Sequence, residues 1–336
     1  MNLKDPRYSN YSLVQEMMQT PGVVKNFDPA RTKEVAGQIK TAGKLLLTGE
    51  GSSRILPAKN MIRKALNWGI DLAIFTEGSR QASQYDLSDF AVFCASNSGR
   101  TKEVVLLAKK LAAIGNQNRF ALTANHDTLL EQECIETFVL NCGWENAVAA
   151  TKSVVEQALF YESILWQISG INKTEALRQL PAFCETALTL PVERKIIDMA
   201  ARANTIYFAG YNDGVAEELT LKTNEITRRK SDFLEGTYAA HGIEEVMHKD
   251  DIVIVIDPIE EEIEKFQEVL SRGVGLTVIA IADWDTPFTT IRVPQAGEMK
   301  PYVFLCAGWN LLVEIGLATG INLDKPERAR KVGNEF

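Results

Sequence analysis

The stretch Ser96-Asn97-Ser98-Gly99-Arg100-Thr101 places three hydroxyls and a glycine within six positions. An apolar run, DFAVFCA, precedes it, and EVVLLAKKLAAIG, with its apolar residues at helical spacing, follows it. The hydroxyls therefore fall between a strand end and a helix start, where unpaired backbone N–H groups and the positive end of the helix dipole favour an anion. One hydroxyl is enough to cap a helix, so three point to phosphate binding, the alternative being a plain N-cap. Two other turns carry related chemistry. In Thr48-Gly49-Glu50-Gly51-Ser52-Ser53 the glycines let the backbone approach a ligand and the serines offer hydroxyls at a helix start. This turn is not GxGxxG, because Arg54 holds the third position, which argues against a dinucleotide. The segment Glu145 to Ser153, ENAVAATKS, opens a third helix and reads equally as a capped helix or a ligand contact.

These turns need strands to hold them. Short apolar runs alternate with longer helical patterns, the signature of parallel β–α units. KLLLTG, DFAVFCAS, RFALTAN and CIETFVLN read as strands in the first half, and TIYFAG, DIVIVID, TVIAIAD and TIRVP in the second. Gly49 and Gly210, and Ser96 and Asp257, are each 161 positions apart, while the Ala-Asn-His-Asp-Thr beginning at Ala124 returns 158 positions later as Ala-Asp-Trp-Asp-Thr at Ala282. A nearly constant offset across three landmarks indicates a duplicated domain. Where the first copy carries SNSGRT, the second carries Asp257-Pro258-Ile259-Glu260-Glu261-Glu262, whose carboxylates repel phosphate but suit a helix start. One phosphate site per chain is expected, in the first copy.

The 336 residues are 46% hydrophobic, enough for two domains with separate cores. A formal net charge of −8 argues against nucleic acid or a membrane surface as partner and leaves a small molecule. The five cysteines are scattered without CxxC spacing and read as buried thiols of a cytoplasmic protein. Three histidines, widely placed, offer no metal site, and no cofactor is expected. No signal peptide and no segment long and apolar enough to span a bilayer are expected.

These features together resemble the sugar isomerase (SIS) domain family, in particular the tandem isomerase half of glucosamine-6-phosphate synthase, over nearly the whole chain. The fold implied is α/β: two SIS domains, each a mainly parallel sheet flanked by helices in a flavodoxin-like three-layer arrangement. The boundaries expected are a helical extension at 1–35, a phosphosugar-binding domain at 36–175 and a second domain at 190–336. SNSGRT is the most specific element, GEGSS stands where relatives carry a Gly-Thr-Ser turn, and Ala150-Thr151-Lys152 stands where they carry Ser-Thr-Lys. The resemblance implies that Gly51, Ser52, Ser53, Ser96, Asn97, Ser98 and Thr101 hold the sugar phosphate, and that Ala149, Ala150, Thr151 and Lys152 face the sugar hydroxyls.

The implied catalytic residues lie further on. EELTLKTNEI resembles the family's helix with Glu, Lys and Glu at spacings of four and three, which assigns Glu218, Lys222 and Glu225; taken alone, that stripe reads also as solvated salt bridges on one helix face. His241 begins a His-Gly, with Ile243 where relatives carry proline, and DKPERARK resembles the terminal segment whose last lysine, here Lys331, works in the sugar site. Moving a carbonyl between C1 and C2 of an open-chain sugar needs a carboxylate to carry a proton, which suits Glu225. Ring opening near neutral pH suits His241, and Lys331 suits an imine or oxyanion role. Only 43 residues precede KLLLTG, the first strand, so no glutaminase domain is expected. An isomerase or isomerase-deaminase of a hexose or hexosamine 6-phosphate is the first reading, as a homodimer sharing its site. A deglycase of fructosyl-amino-acid 6-phosphates and a non-enzymatic phosphosugar sensor are the alternatives.

Overall fold

A computed structural model describes residues 1–331 and 334–336. The chain divides into two compact units. One comprises Gly22–Asn146, Ala150–Glu175 and Arg330–Phe336; the other comprises Met1–Pro21, Ala147–Ala149 and Ala176–Ala329.

The sheet of the first unit contains β1 (Lys44–Gly49), β2 (Ala73–Gly78), β3 (Ala91–Ala95), β4 (Arg119–Thr123) and β5 (Glu136–Val139), all parallel, in the order β2-β1-β3-β4-β5. The central strand β3 is buried along its whole length, because both faces are covered. On one face Val92 and Cys94 meet Val104, Val105, Leu107, Ala108 and Leu111 of helix α1 (Lys102–Ala113). On the other, Phe93 packs edge-on against Phe160 and Tyr161 of helix α2 (Lys152–Ser169), with ring centroids 5.7 and 5.4 Å apart. Burying such a ring contributes about 1.5–3 kcal/mol, which fixes the strand end from which SNSGRT departs.

The second unit repeats the topology. Its strands β6 (Thr205–Gly210), β7 (Lys230–Glu235), β8 (Ile252–Ile256), β9 (Thr277–Ala282) and β10 (Thr289–Arg292) are parallel in the order β10-β9-β8-β6-β7. Replacing each of β1 to β5 by its counterpart five strands later converts one order into the other. The shift is 161 from Lys44 to Thr205 and from Ala91 to Ile252, and 158 from Arg119 to Thr277. Two mainly parallel sheets flanked by helices are what the sequence leads one to expect, and the two sheets found are parallel with five strands each. The edge strands β2 and β7 are additions to that reading.

Helix α3 (Val215–Lys222) follows β6, and helix α4 (Lys300–Ala318) closes the unit. The expectation that no segment is apolar and long enough to cross a bilayer is corrected here: Gly297–Ala318 reaches a mean hydropathy of 1.4 over 18 residues. Its apolar character has another cause. Of that window 89% is buried, so the helix is hydrophobic all round because protein surrounds it.

Candidate functional site

In the first unit the three hydroxyls of SNSGRT converge. Ser96 Oγ lies 2.8 Å from Thr101 Oγ1 and 3.5 Å from Ser98 Oγ. Thr101 occupies the N-cap position of α1, yet its side chain makes no capping hydrogen bond. That argues against the plain-cap alternative and leaves the hydroxyls grouped at the helix start. The loop is held by its neighbours: the Ser96 amide donates to Leu122 O (3.0 Å), the Gly99 amide to Ser96 O (2.9 Å) and the Arg100 amide to Ser98 Oγ (3.2 Å). Gly99 adopts φ +63°, and a Cβ there would lie 2.3 Å from Thr128 Cβ, so both the turn and the packing require glycine.

The GEGSS turn packs directly on this strand end. A Cβ at Gly49 would sit 2.9 Å from Ala95 O and 3.0 Å from Ser53 Cβ. Gly51, at φ +55°, opens a short 3-10 turn containing buried Ser52 and half-buried Ser53, and Gln157 of α2 donates to Ser53 O. Glu50 turns aside and accepts from the Ser79 amide at 2.9 Å. Partial burial holds its carboxyl above the usual 4.5, against the pull of that amide.

Helix α2 begins at the third polar turn. Its residues Thr151 and Ser153 are fully buried and Lys152 nearly so, while Ala150 is half-buried. The residue that organises them is Glu145, which sequence reasoning noticed only as the first letter of the turn. Glu145 Oε1 accepts from the Thr151 amide (2.8 Å) and Thr151 Oγ1 (2.9 Å), and Oε2 accepts from Ser153 Oγ (2.5 Å). Ser153 Oγ in turn accepts from Asn97 Nδ2 at 2.7 Å, which ties SNSGRT to the start of α2. The signal available in sequence was an acidic residue six and eight positions before two hydroxyls, which is not specific. Ala149 is buried and belongs to the other compact unit.

Lys331 approaches the same carboxylate, with its Nζ 3.9 Å from Glu145 Oε2. It also lines a cavity of about 490 Å³ together with Ser98, Asn125, His126 and Trp144. Beyond it the chain end lies along α1. The Lys102 amide donates to Asn334 O (3.0 Å), Thr101 and Glu335 form an isolated antiparallel bridge, and Lys109 Nζ sits 5.3 Å from the Phe336 ring centroid. The corresponding place in the second unit differs. Asp257 pairs with Lys300 at 2.7 Å, and the cavity beside Gly210, Gly236 and Asp257 is about 10 Å³, roughly one water.

Glu218, Lys222 and Glu225 cluster in the second unit. Helix α3 ends at Lys222 and continues as a π-helical turn, Thr223–Thr227, which carries Glu225. Lys222 Nζ lies 2.7 Å from Glu225 Oε2 and 3.4 Å from Glu218 Oε1. Lys222 and Glu218 are fully buried, whereas the Glu225 side chain keeps a quarter of its surface exposed. A solvated stripe is therefore excluded, and only Glu225 presents a carboxylate to the outside. Burial pulls the Lys222 ammonium pKa down, but Glu225 and then Glu218 outweigh it and hold it above the ordinary 10.5. His241 is exposed at the end of a 3-10 turn, with Nε2 3.2 Å from Lys265 Nζ. An ammonium only donates, so in this contact that ring nitrogen is the acceptor. Among the described residues no hydrogen bond or ion pair joins His241 to the Glu218–Lys222–Glu225 cluster.

No model of a known protein family matches the chain. Among curated proteins, the glutamine–fructose-6-phosphate aminotransferase (isomerizing) of Vibrio cholerae is 25% identical over 261 residues, which are 70% of this chain and 42% of that protein. The chain thus spans less than half the length of the curated relatives it matches. Among solved structures, the C-terminal domain of glucosamine-fructose-6-phosphate aminotransferase from Francisella tularensis superposes with a TM-score of 0.77 at 19% identity, covering 94% of this chain and 98% of that one. The two parallel five-stranded sheets with their flanking helices are the fold of that domain. A tagatose-6-phosphate ketose/aldose isomerase from Escherichia coli shares it, with a TM-score of 0.75 at 17% identity over 96% of this chain and 98% of that one. By name these relatives and neighbours are an isomerizing aminotransferase and a ketose/aldose isomerase of a sugar 6-phosphate.

Proposed function

We propose that the chain is a phosphosugar isomerase or isomerase-deaminase acting on a hexose or hexosamine 6-phosphate. The observation that carries this reading is the convergence of Ser96, Ser98 and Thr101 at a helix start, with a cavity of about 490 Å³ beside Ser98. Three grouped hydroxyls and the first amides of a helix suit a phosphate monoester. Cavities of this size take small ligands. The names of the sequence relatives and structural neighbours, which handle fructose, glucosamine and tagatose 6-phosphates, support the same substrate class.

In this reading Glu225 carries the proton between C1 and C2, and Lys222, itself held by Glu218, orients that carboxylate. His241 assists ring opening, and Lys331 serves the carbonyl. We propose further that the protein is a homodimer in which His241 and Glu225 of one site come from different subunits. Mixing inactive Glu225→Gln and His241→Ala proteins then restores part of the activity once subunits exchange. Confirmed exchange without recovery contradicts the sharing.

The reaction class is tested by incubating the protein with hexose, hexosamine and fructosyl-amino-acid 6-phosphates and identifying products by mass and NMR. Aldose–ketose interconversion, with or without ammonia release, is the expected result. Release of a free amino acid moves the assignment to a deglycase, and an unchanged panel contradicts an enzymatic role.

A further inference from the structure

We propose that Glu145 is a positioning residue for Lys331, fixing the lysine relative to the phosphate loop. The proposal rests on the phosphosugar reading, because it gives Lys331 work at the sugar carbonyl. Glu145 is only 4% exposed, and a buried carboxylate is tolerated where donors and a cation compensate it. Three donors come from Thr151 and Ser153, and the cation is Lys331, 3.9 Å from Oε2. Oε2 is thus shared between Lys331 and Ser153, and Ser153 is bonded to Asn97 of SNSGRT. One carboxylate therefore links the lysine to the phosphate cradle through a single hydroxyl. The charged residues of the cavity wall around Lys331, namely Arg100, His126, Asp127, Arg330 and Glu335, are exposed, whereas Glu145 is buried. A lysine stem has four rotatable bonds, and holding its end removes freedom that a productive geometry cannot tolerate.

The test uses the full chain and two readouts. The first, without substrate, is acylation of Lys331 by an amine-selective ester, followed by mass spectrometry with exposed lysines as internal reference. Glu145→Gln should raise Lys331 labelling about three- to tenfold, because the ammonium loses its charge partner and its tether. The second is turnover of the substrate found in the panel. Glu145→Gln should lower kcat by about 100-fold with KM changed little, and the double variant with Lys331→Met should be no worse than Lys331→Met alone, since the two act as a unit. Glu145→Asp, which keeps the charge but shortens the reach, should raise labelling by a smaller factor and provides the readout if the glutamine variant does not fold. Unchanged labelling in both variants, or losses that multiply in the double variant, overturns the proposal. Wild-type turnover in Lys331→Met instead contradicts the role of the lysine, and the labelling result still reports on the Glu145 contact.

Discussion

At the scale of single residues, the decisive contrast is between buried and exposed members of one charged cluster. Lys222 and Glu218 are withdrawn from water while Glu225 is not, so two charges act as supports and one is presented. Removing the lysine strands two carboxylates, and Lys222→Met should cost about 3–5 kcal/mol of stability in urea unfolding. The pH dependence of that difference has a definite sign. The folded pKa of Lys222 is raised above 10.5, so its contribution is fully present below the unfolded value and is lost as pH rises through the folded one. The gap between wild type and Lys222→Met should be flat from about pH 6 to 9 and shrink only above about 10.5. A gap that narrows near neutral pH contradicts the assignment of the charge to this lysine. The spacing of four and three was legible in sequence. Which carboxylate faces outward was not, because it depends on the π turn that interrupts the α-helical register at Thr223.

At the scale of elements, the sequence showed the central strands and one edge strand of each sheet, β5 and β10, and missed the other edge strand of each, β2 and β7. AVFCA and IVIVI form unbroken apolar runs because helices cover both sides. AIFTEG and KSDFLE, the strands β2 and β7, are only partly buried and mix polar and apolar residues without a regular period, so their signal merges with that of a loop. The loop after β3 was legible by its hydroxyls, but its tether to α2, from Asn97 to Ser153, joins residues 56 positions apart and left no local pattern. Gly99 marks how tightly that loop is built. Gly99→Ala meets both a left-handed φ and the Thr128 side chain, and should destabilise by about 1–3 kcal/mol while abolishing the melting-temperature rise given by a sugar 6-phosphate. An alanine variant with wild-type stability and an undiminished ligand shift contradicts this picture of the loop.

At the scale of the whole molecule, one topology occurs twice with different end loops. The first copy groups three hydroxyls beside a cavity of about 490 Å³, whereas the second fills the equivalent place with the Asp257–Lys300 pair and leaves about 10 Å³. Calorimetric titration should therefore find about one sugar phosphate per chain, and none with Ser98 and Thr101 both replaced by alanine. Two equivalents would mean that the second copy has kept a site. The offset of 161 residues made the duplication legible, since loop divergence leaves strand spacing intact. The central claim, that Glu225 moves a proton on a phosphosugar, is tested most directly by carbon-bound exchange in deuterated water. Sugar recovered from the wild type should carry deuterium at C1 or C2. With Glu225→Gln, which keeps shape but removes the base, exchange should fall by roughly 10²–10⁴-fold while the phosphate-dependent melting shift survives. Exchange at the wild-type rate in Glu225→Gln would contradict the account.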